Sequence, residues 1–133
     1  MSGGLSATLS DDELTERARV HLGEFVLAKA SYTAAAVAAA LVTEDGQVFT
    51  GVCIDIASGI GFCAEHAAIA SMLKHRRTVI RKIVAVDESG VIPPCGRCRE
   101  LMFQIDRRNL QCEVVLSGEN RLLADLLPQP WMG

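Results

Sequence analysis

Ala34-Ala35-Ala36-Val37-Ala38-Ala39-Ala40-Leu41-Val42 separates two possible architectures. Alanine is the best helix former, yet nine apolar residues also fit a buried strand, and periodicity does not choose between them. The residues that follow do choose. Asp45-Gly46 lies between Leu41-Val42-Thr43 and Gln47-Val48-Phe49-Thr50, and Asp-Gly between apolar runs is a strong tight-hairpin signal. The spacing therefore predicts two antiparallel strands, about 36–43 and 47–54.

Upstream, Ser10 followed by Asp11, Asp12 and Glu13 forms a capping box, and Leu14, Ala18, His21, Leu22 and Phe25 fall at helical spacing. A first helix is expected over about 11–30, with His21 in the core or at its boundary. Downstream, Ser58-Gly59-Ile60-Gly61 forms a loop before a second helix, which opens at Cys63 and ends near His75-Arg76-Arg77. Cations in that last turn complement the helix dipole. Ile80–Val86 reads as a third strand and 112–116 as a fourth. A third helix opens at Cys95-Gly96-Arg97-Cys98, after Pro93-Pro94, and a short helix over 121–127 is stopped by Pro128. The order αββαβαβα points to an α/β fold, one mixed sheet with helices packed on it.

The 133 residues, half of them hydrophobic, suit a single domain over 1–133, with 1–9 as a flexible lead. Thirteen basic against sixteen acidic residues give a formal charge of −3, so no positive field exists to gather a phosphate backbone, and no nucleic-acid partner is expected. The nine-residue apolar run is far short of the ~20 needed to cross a bilayer, and no membrane partner is expected. Met1-Ser2-Gly3-Gly4 lacks the pattern of a signal peptide, and five cysteines are an odd number. Both features favour reduced thiols in the cytoplasm. A mean hydropathy of +0.26 suggests apolar surface left over for a homo-oligomer.

The chemistry concentrates in Cys63-Ala64-Glu65 and Pro94-Cys95-Gly96-Arg97-Cys98, each at the start of an expected helix. Helix N-termini offer free N–H groups and positive potential, which favour the thiolate that binds zinc. Three thiolates, from Cys63, Cys95 and Cys98, leave the fourth tetrahedral position for water, as in catalytic rather than closed sites. Glu65, two residues after the first sulfur, is placed to move protons to and from that water. Cysteine, glutamate and Pro-Cys-x-x-Cys in this order form the signature of zinc nucleobase deaminases.

The sequence resembles the cytidine deaminase family over nearly its whole length, and within it looks closest to the blasticidin S deaminase branch. Besides the two motifs, Val37-Ala38-Ala39-Ala40-Leu41 is similar to the family's Val-Gly-Ala-Ala-Leu strand. Phe49-Thr50-Gly51-Val52 resembles the strand leading to its sugar-binding residues, and Leu126-Leu127-Pro128 with Trp131 its tail. The resemblance implies a three-layer α/β/α fold with a mixed five-stranded sheet, and one Zn²⁺ per subunit. It also implies hydrolytic deamination of a small-molecule cytosine nucleoside, cytidine or deoxycytidine, to the uracil form plus ammonia. By similarity, the Ala64 N–H and the Pro93 carbonyl hold the base. A homotetramer is implied, in which Trp131 reaches a neighbouring site.

Four positions depart from the family pattern. Cys53-Ile54-Asp55 replaces the Asn-x-Glu that bonds ribose, Ala35 replaces a stacking phenylalanine, and His66 stands where an arginine commonly follows the glutamate. Cys53 and Asp55 are therefore substrate-binding candidates with altered preference, with blasticidin S or another modified nucleoside as the alternative substrate. A tris-thiolate zinc carries net negative charge and needs positive compensation. Arg97, Arg99 and a protonated His66 are the candidates, and the last would bring a pH dependence near neutrality. A closed structural zinc would need Cys53, His66 or Cys112 as fourth ligand, and would belong to a non-catalytic oligomer. Cys112, opening an apolar strand, reads as core. A polynucleotide-editing domain is the weakest reading, because the acidic chain lacks a basic stripe with interleaved aromatics.

Overall fold

The computed structural model describes residues 9–132. The expected flexible lead therefore lies outside the described residues except for Leu9, which packs on the core. The Ser10 hydroxyl accepts from the Glu13 N–H, and the Glu13 carboxylate accepts from the Ser10 N–H, closing the capping box at the start of α1 (Asp11–Arg19).

Helix α1 stops eleven residues short of the expected position 30. At Gly23 the chain turns with φ +155°, and Phe25–Val26 (β1) pairs antiparallel with Ala34 and Thr33. Strand pairing outweighs helical spacing there, and both His21 and Phe25 are exposed, contrary to the helical reading.

The alanine run is β2 (Thr33–Thr43), and Glu44-Asp45-Gly46 returns it as β3 (Val48–Asp55). Gly46, at φ +88°, supplies the left-handed turn residue, and the Thr43 N–H donates to the Gln47 carbonyl at 2.9 Å. There follow α2 (Ala64–Lys74), β4 (Ile80–Asp87), β5 (Gly90–Ile92) and α3 (Gly96–Ile105). A 3₁₀ turn (Arg107–Gln111), β6 (Glu113–Val114), β7 (Arg121–Leu122) and α4 (Leu123–Leu126) complete the described chain. The fourth expected strand is thus shorter than 112–116. The last helix begins two residues late, because Arg121 and Leu122 pair with β6 instead.

The sheet is mixed. Its spine runs β3-β2-β4-β6-β7, with β4 and β6 parallel and the other pairs antiparallel. These are five strands; the short β1 and β5, alongside β2 and β4, bring the sheet to seven among the described residues.

Alternation along β2 builds the layers. Ala38, Ala40 and Val42 join Val84 and Val86 against Leu14 and Ala18 of α1. Leu41 and Ile83 pack against Ile69 and Met72 of α2 and Met102 of α3 on the opposite face. Both faces are covered, which is why β2 reads as an unbroken apolar run. Small residues let α2 lie close: a Cβ on Gly51 would sit 2.5 Å from the Ala67 Cβ and from the Ala68 nitrogen. The C-terminal end of α3 is tied by buried Asn109, which accepts from the Ile80 N–H and donates to the carbonyls of Thr78 and Met102. No helix among the described residues is long and apolar enough to cross a membrane.

Candidate metal centre and cavity

Helices α2 and α3 begin beside one another, and each has a cysteine at the position before its first residue. Cys63 (φ −74°, ψ 157°) precedes α2 and Cys95 (φ −71°, ψ 167°) precedes α3. Neither sulfur caps its own helix. Instead the Cys63 Sγ lies 3.4 Å from the Cys95 Sγ, which lies 3.4 Å from the Cys98 Sγ in the first turn of α3. A tetrahedral zinc with 2.3 Å bonds separates its sulfurs by about 3.8 Å, so slight expansion of this triangle admits the ion. His66 Nδ1 lies 3.4 Å from the Cys98 Sγ, and the ligand atoms of Cys63, His66 and Cys98 all lie within 4.8 Å of one another. Three soft sulfurs and an imidazole are a donor set that suits zinc.

Burial raises the thiol pKa of Cys63, aided by neighbouring Cys95, and that of Cys98, aided by the Glu65 charge. At Cys95 burial opposes ionisation, but the N–H groups of Cys98 and Arg97 and the Cys63 thiol outweigh it, lowering the pKa. Here the start of α3 acts as sequence reasoning requires. Glu65 is only 4% exposed, and burial raises its carboxyl pKa against the opposing pull of backbone N–H and the Cys98 thiol.

Cys63 and Cys95 open onto a cavity of about 390 Å³ that also exposes Glu65, Ala64, Pro93, Cys53 and Asp55. Seven of the residues singled out in the sequence thus share one concavity. Trp131 does not: it is 85% exposed, with its N–H donating to a Glu100 carboxylate oxygen at 3.0 Å. Cys53 is buried; its sulfur accepts from the Val37 N–H at 3.3 Å and donates to Asp55 Oδ2 at 3.7 Å. Among the described residues, neither it nor Cys112, which is buried in the core, joins the cluster of Cys63, His66 and Cys98.

Position 35 offers no ring to stack on a base. Ala35 is buried at φ +68° within the irregular pairing between Ala34 and Ala38, and Val37 lines the cavity instead. Arg97, expected as a charge compensator, also lines it, as do Phe62 and Ile92, which sequence reasoning missed. A signal for Phe62 existed in Gly61. A Cβ there would meet the Ile54 carbonyl oxygen at 2.2 Å, so only glycine lets Phe62 bridge to Ile54.

The expected charge compensation is corrected at two residues. Arg99 is diverted, its guanidinium donating to the carbonyls of Pro94 (2.8 Å) and Leu126 (3.1 Å). His66 has its pKa lowered from the ordinary imidazole value, first by burial and then by Arg97, so the cationic form is disfavoured. Its ring faces a second groove, between Phe62, Leu73 and Leu101. Arg97 borders both this groove and the cavity.

Residues 15–114 match the cytidine and deoxycytidylate deaminase zinc-binding region. The chain is 38% identical over 76 residues to a cytidine deaminase from Halalkalibacterium halodurans, a match spanning 56% of this chain and 58% of that protein. It is 32% identical over 99 residues to a cytidine deaminase from Mycobacterium tuberculosis, covering 73% of each. The crystal structure of cytidine deaminase from Burkholderia pseudomallei superposes with a TM-score of 0.72 at 33% identity, over 92% of this chain and 99% of that one.

Proposed function

Because the chain belongs to the cytidine and deoxycytidylate deaminase zinc-binding family, we propose that it hydrolyses the amino group from a cytosine nucleoside, cytidine or deoxycytidine. Water adds its oxygen at C4, the C4–N bond breaks, ammonia leaves and a uracil ring remains. Cys63, Cys95 and Cys98 would hold one zinc per subunit, and when bound the metal would supply Lewis-acid activation of water at neutral pH. Glu65 accepts the proton of the attacking water, delivers it to ring N3 and then assists the departing amine. The Ala64 N–H donates to O2 of the base, and the Pro93 carbonyl accepts from the amino group. Cys53 and Asp55 face the sugar. A modified cytosine nucleoside such as blasticidin S is the narrower alternative, favoured by the same two residues. The working form is a homotetramer to which Trp131 contributes across a subunit boundary.

One observation carries this reading: a buried carboxylate, Glu65, opens into the same cavity as the thiols of Cys63 and Cys95. Glu65→Gln should lower kcat by ~10²–10⁴ while zinc content and melting temperature hold. Unchanged turnover, or no ammonia from any cytosine nucleoside with the metal loaded, would sink the proposal.

A closed centre is favoured only by the position of His66 Nδ1 near Cys63 and Cys98. In the catalytic reading this ring instead donates a hydrogen bond to the Cys98 sulfur. X-ray absorption separates the two, because a ligating imidazole gives outer-shell scattering that a hydrogen-bonded one does not.

A further inference from the structure

Cys95 caps α3 and Cys98 lies in its first turn, with their sulfurs 3.4 Å apart. Their accessibilities are opposite. Cys95 is exposed and opens onto the cavity, whereas Cys98 has no exposed surface. The N–H groups of Arg97 and Cys98 are directed at the Cys95 sulfur, and the exposed Arg97 side chain lines the same cavity. An open sulfur in positive surroundings is the one an oxidant meets, and a buried thiol one turn away is placed to resolve it.

Two thiols lie within reach of Cys95. Cys63 is also at 3.4 Å, but it caps α2, which is seated closely on β3 at Gly51. Drawing its sulfur in to the ~2.05 Å of a disulfide moves one element against another. For Cys98 the approach lies within a single helical turn. The sulfurs of Cys53 and Cys112 contact Val37, Asp55 and Glu113 rather than another sulfur.

We propose that Cys95 is an oxidation site and Cys98 its resolving thiol, so that hydrogen peroxide converts the pair to a disulfide and withdraws both from metal binding. The Cys95 sulfur attacks one peroxide oxygen, the O–O bond breaks, and a sulfenic acid and water form. The Cys98 sulfur then attacks the sulfenic sulfur, the S–O bond breaks and a second water leaves. The two thiols lose two electrons, and peroxide gains them. Zinc affinity should fall by more than ~10², since disturbing an outer-shell partner alone costs about 10–100-fold. Loss of zinc rests on the deaminase reading, whereas disulfide formation stands without it.

The test treats the zinc-loaded protein with a few equivalents of hydrogen peroxide and follows zinc release with a chelating dye, intact mass, and the linked cysteines mapped after alkylation. Zinc should leave in step with the loss of two hydrogens from the mass, and the link should join Cys95 to Cys98. Dithiothreitol with added zinc should reverse both changes. Cys63→Ser should keep the link, and Cys95→Ser and Cys98→Ser should abolish it; where a variant does not fold, the map of the parent protein decides. An unchanged mass, a dominant link through Cys63, sulfinic acid without a link, or zinc retained by the linked chain overturns the proposal. A protein that takes up no zinc refutes the metal centre of the deaminase reading instead, and the mass and map of the peroxide-treated chain then decide the oxidation site by themselves.

Discussion

Burial raises the thiol pKa values of Cys63 and Cys98, while that of Cys95 is lowered. Since the ligand is the thiolate, zinc must displace the protons that burial retains. Uptake at pH 7 should therefore release at least two protons per ion, from Cys63 and Cys98, readable with an indicator dye in weak buffer. Apparent affinity should weaken as pH falls, by up to ~10² per unit where two protons compete. Zinc binding without proton release would remove these sulfurs from the ligand set. At this scale the spacing of the cysteines and Glu65 was legible, because two helix starts are written locally. The fate of Arg99 was not, because its acceptors include the Leu126 carbonyl, 27 residues away.

Between elements, the decisive contact is α2 lying on β3 at Gly51. Any side chain there collides with the backbone of Ala68 and the carbonyl of Ala64, at 2.5 and 2.8 Å, and neither is the flexible end of a side chain. Gly51→Ala should destabilise by about 1–3 kcal/mol, the range for overpacking, and should weaken zinc binding because the start of α2 carries Cys63. Denaturant unfolding and zinc titration check this, and a variant as stable as its parent would refute it. The hairpin was legible from Asp45-Gly46, a turn signal contained within a few residues. The early end of α1 was not. Helical spacing continues through Phe25, and only pairing with β2 assigns Phe25 and Val26 to a strand.

Across the whole molecule, exposed apolar side chains recur at Phe25, Val26, Ile60 and Trp131, with fractional exposures of 55%, 58%, 68% and 85%. Such residues mark an association surface when they gather. The proposed homotetramer predicts a sedimenting mass near four times 14.3 kDa at micromolar concentration, and Phe25→Glu should shift the population to smaller species. A wild-type monomer under those conditions would exclude the tetramer. Sequence by itself determined the hairpin, the helix starts and the chemical character of Cys63, Glu65, Cys95 and Cys98, since each depends on neighbours a few residues apart. Tertiary structure alone decided that Val37 rather than Ala35 lines the cavity, that the hydrogen-bonding capacity of Cys53 is already used, and that His66 is disfavoured as a cation. Those outcomes depend on desolvation and on partners brought together by the sheet, and no local pattern encodes either.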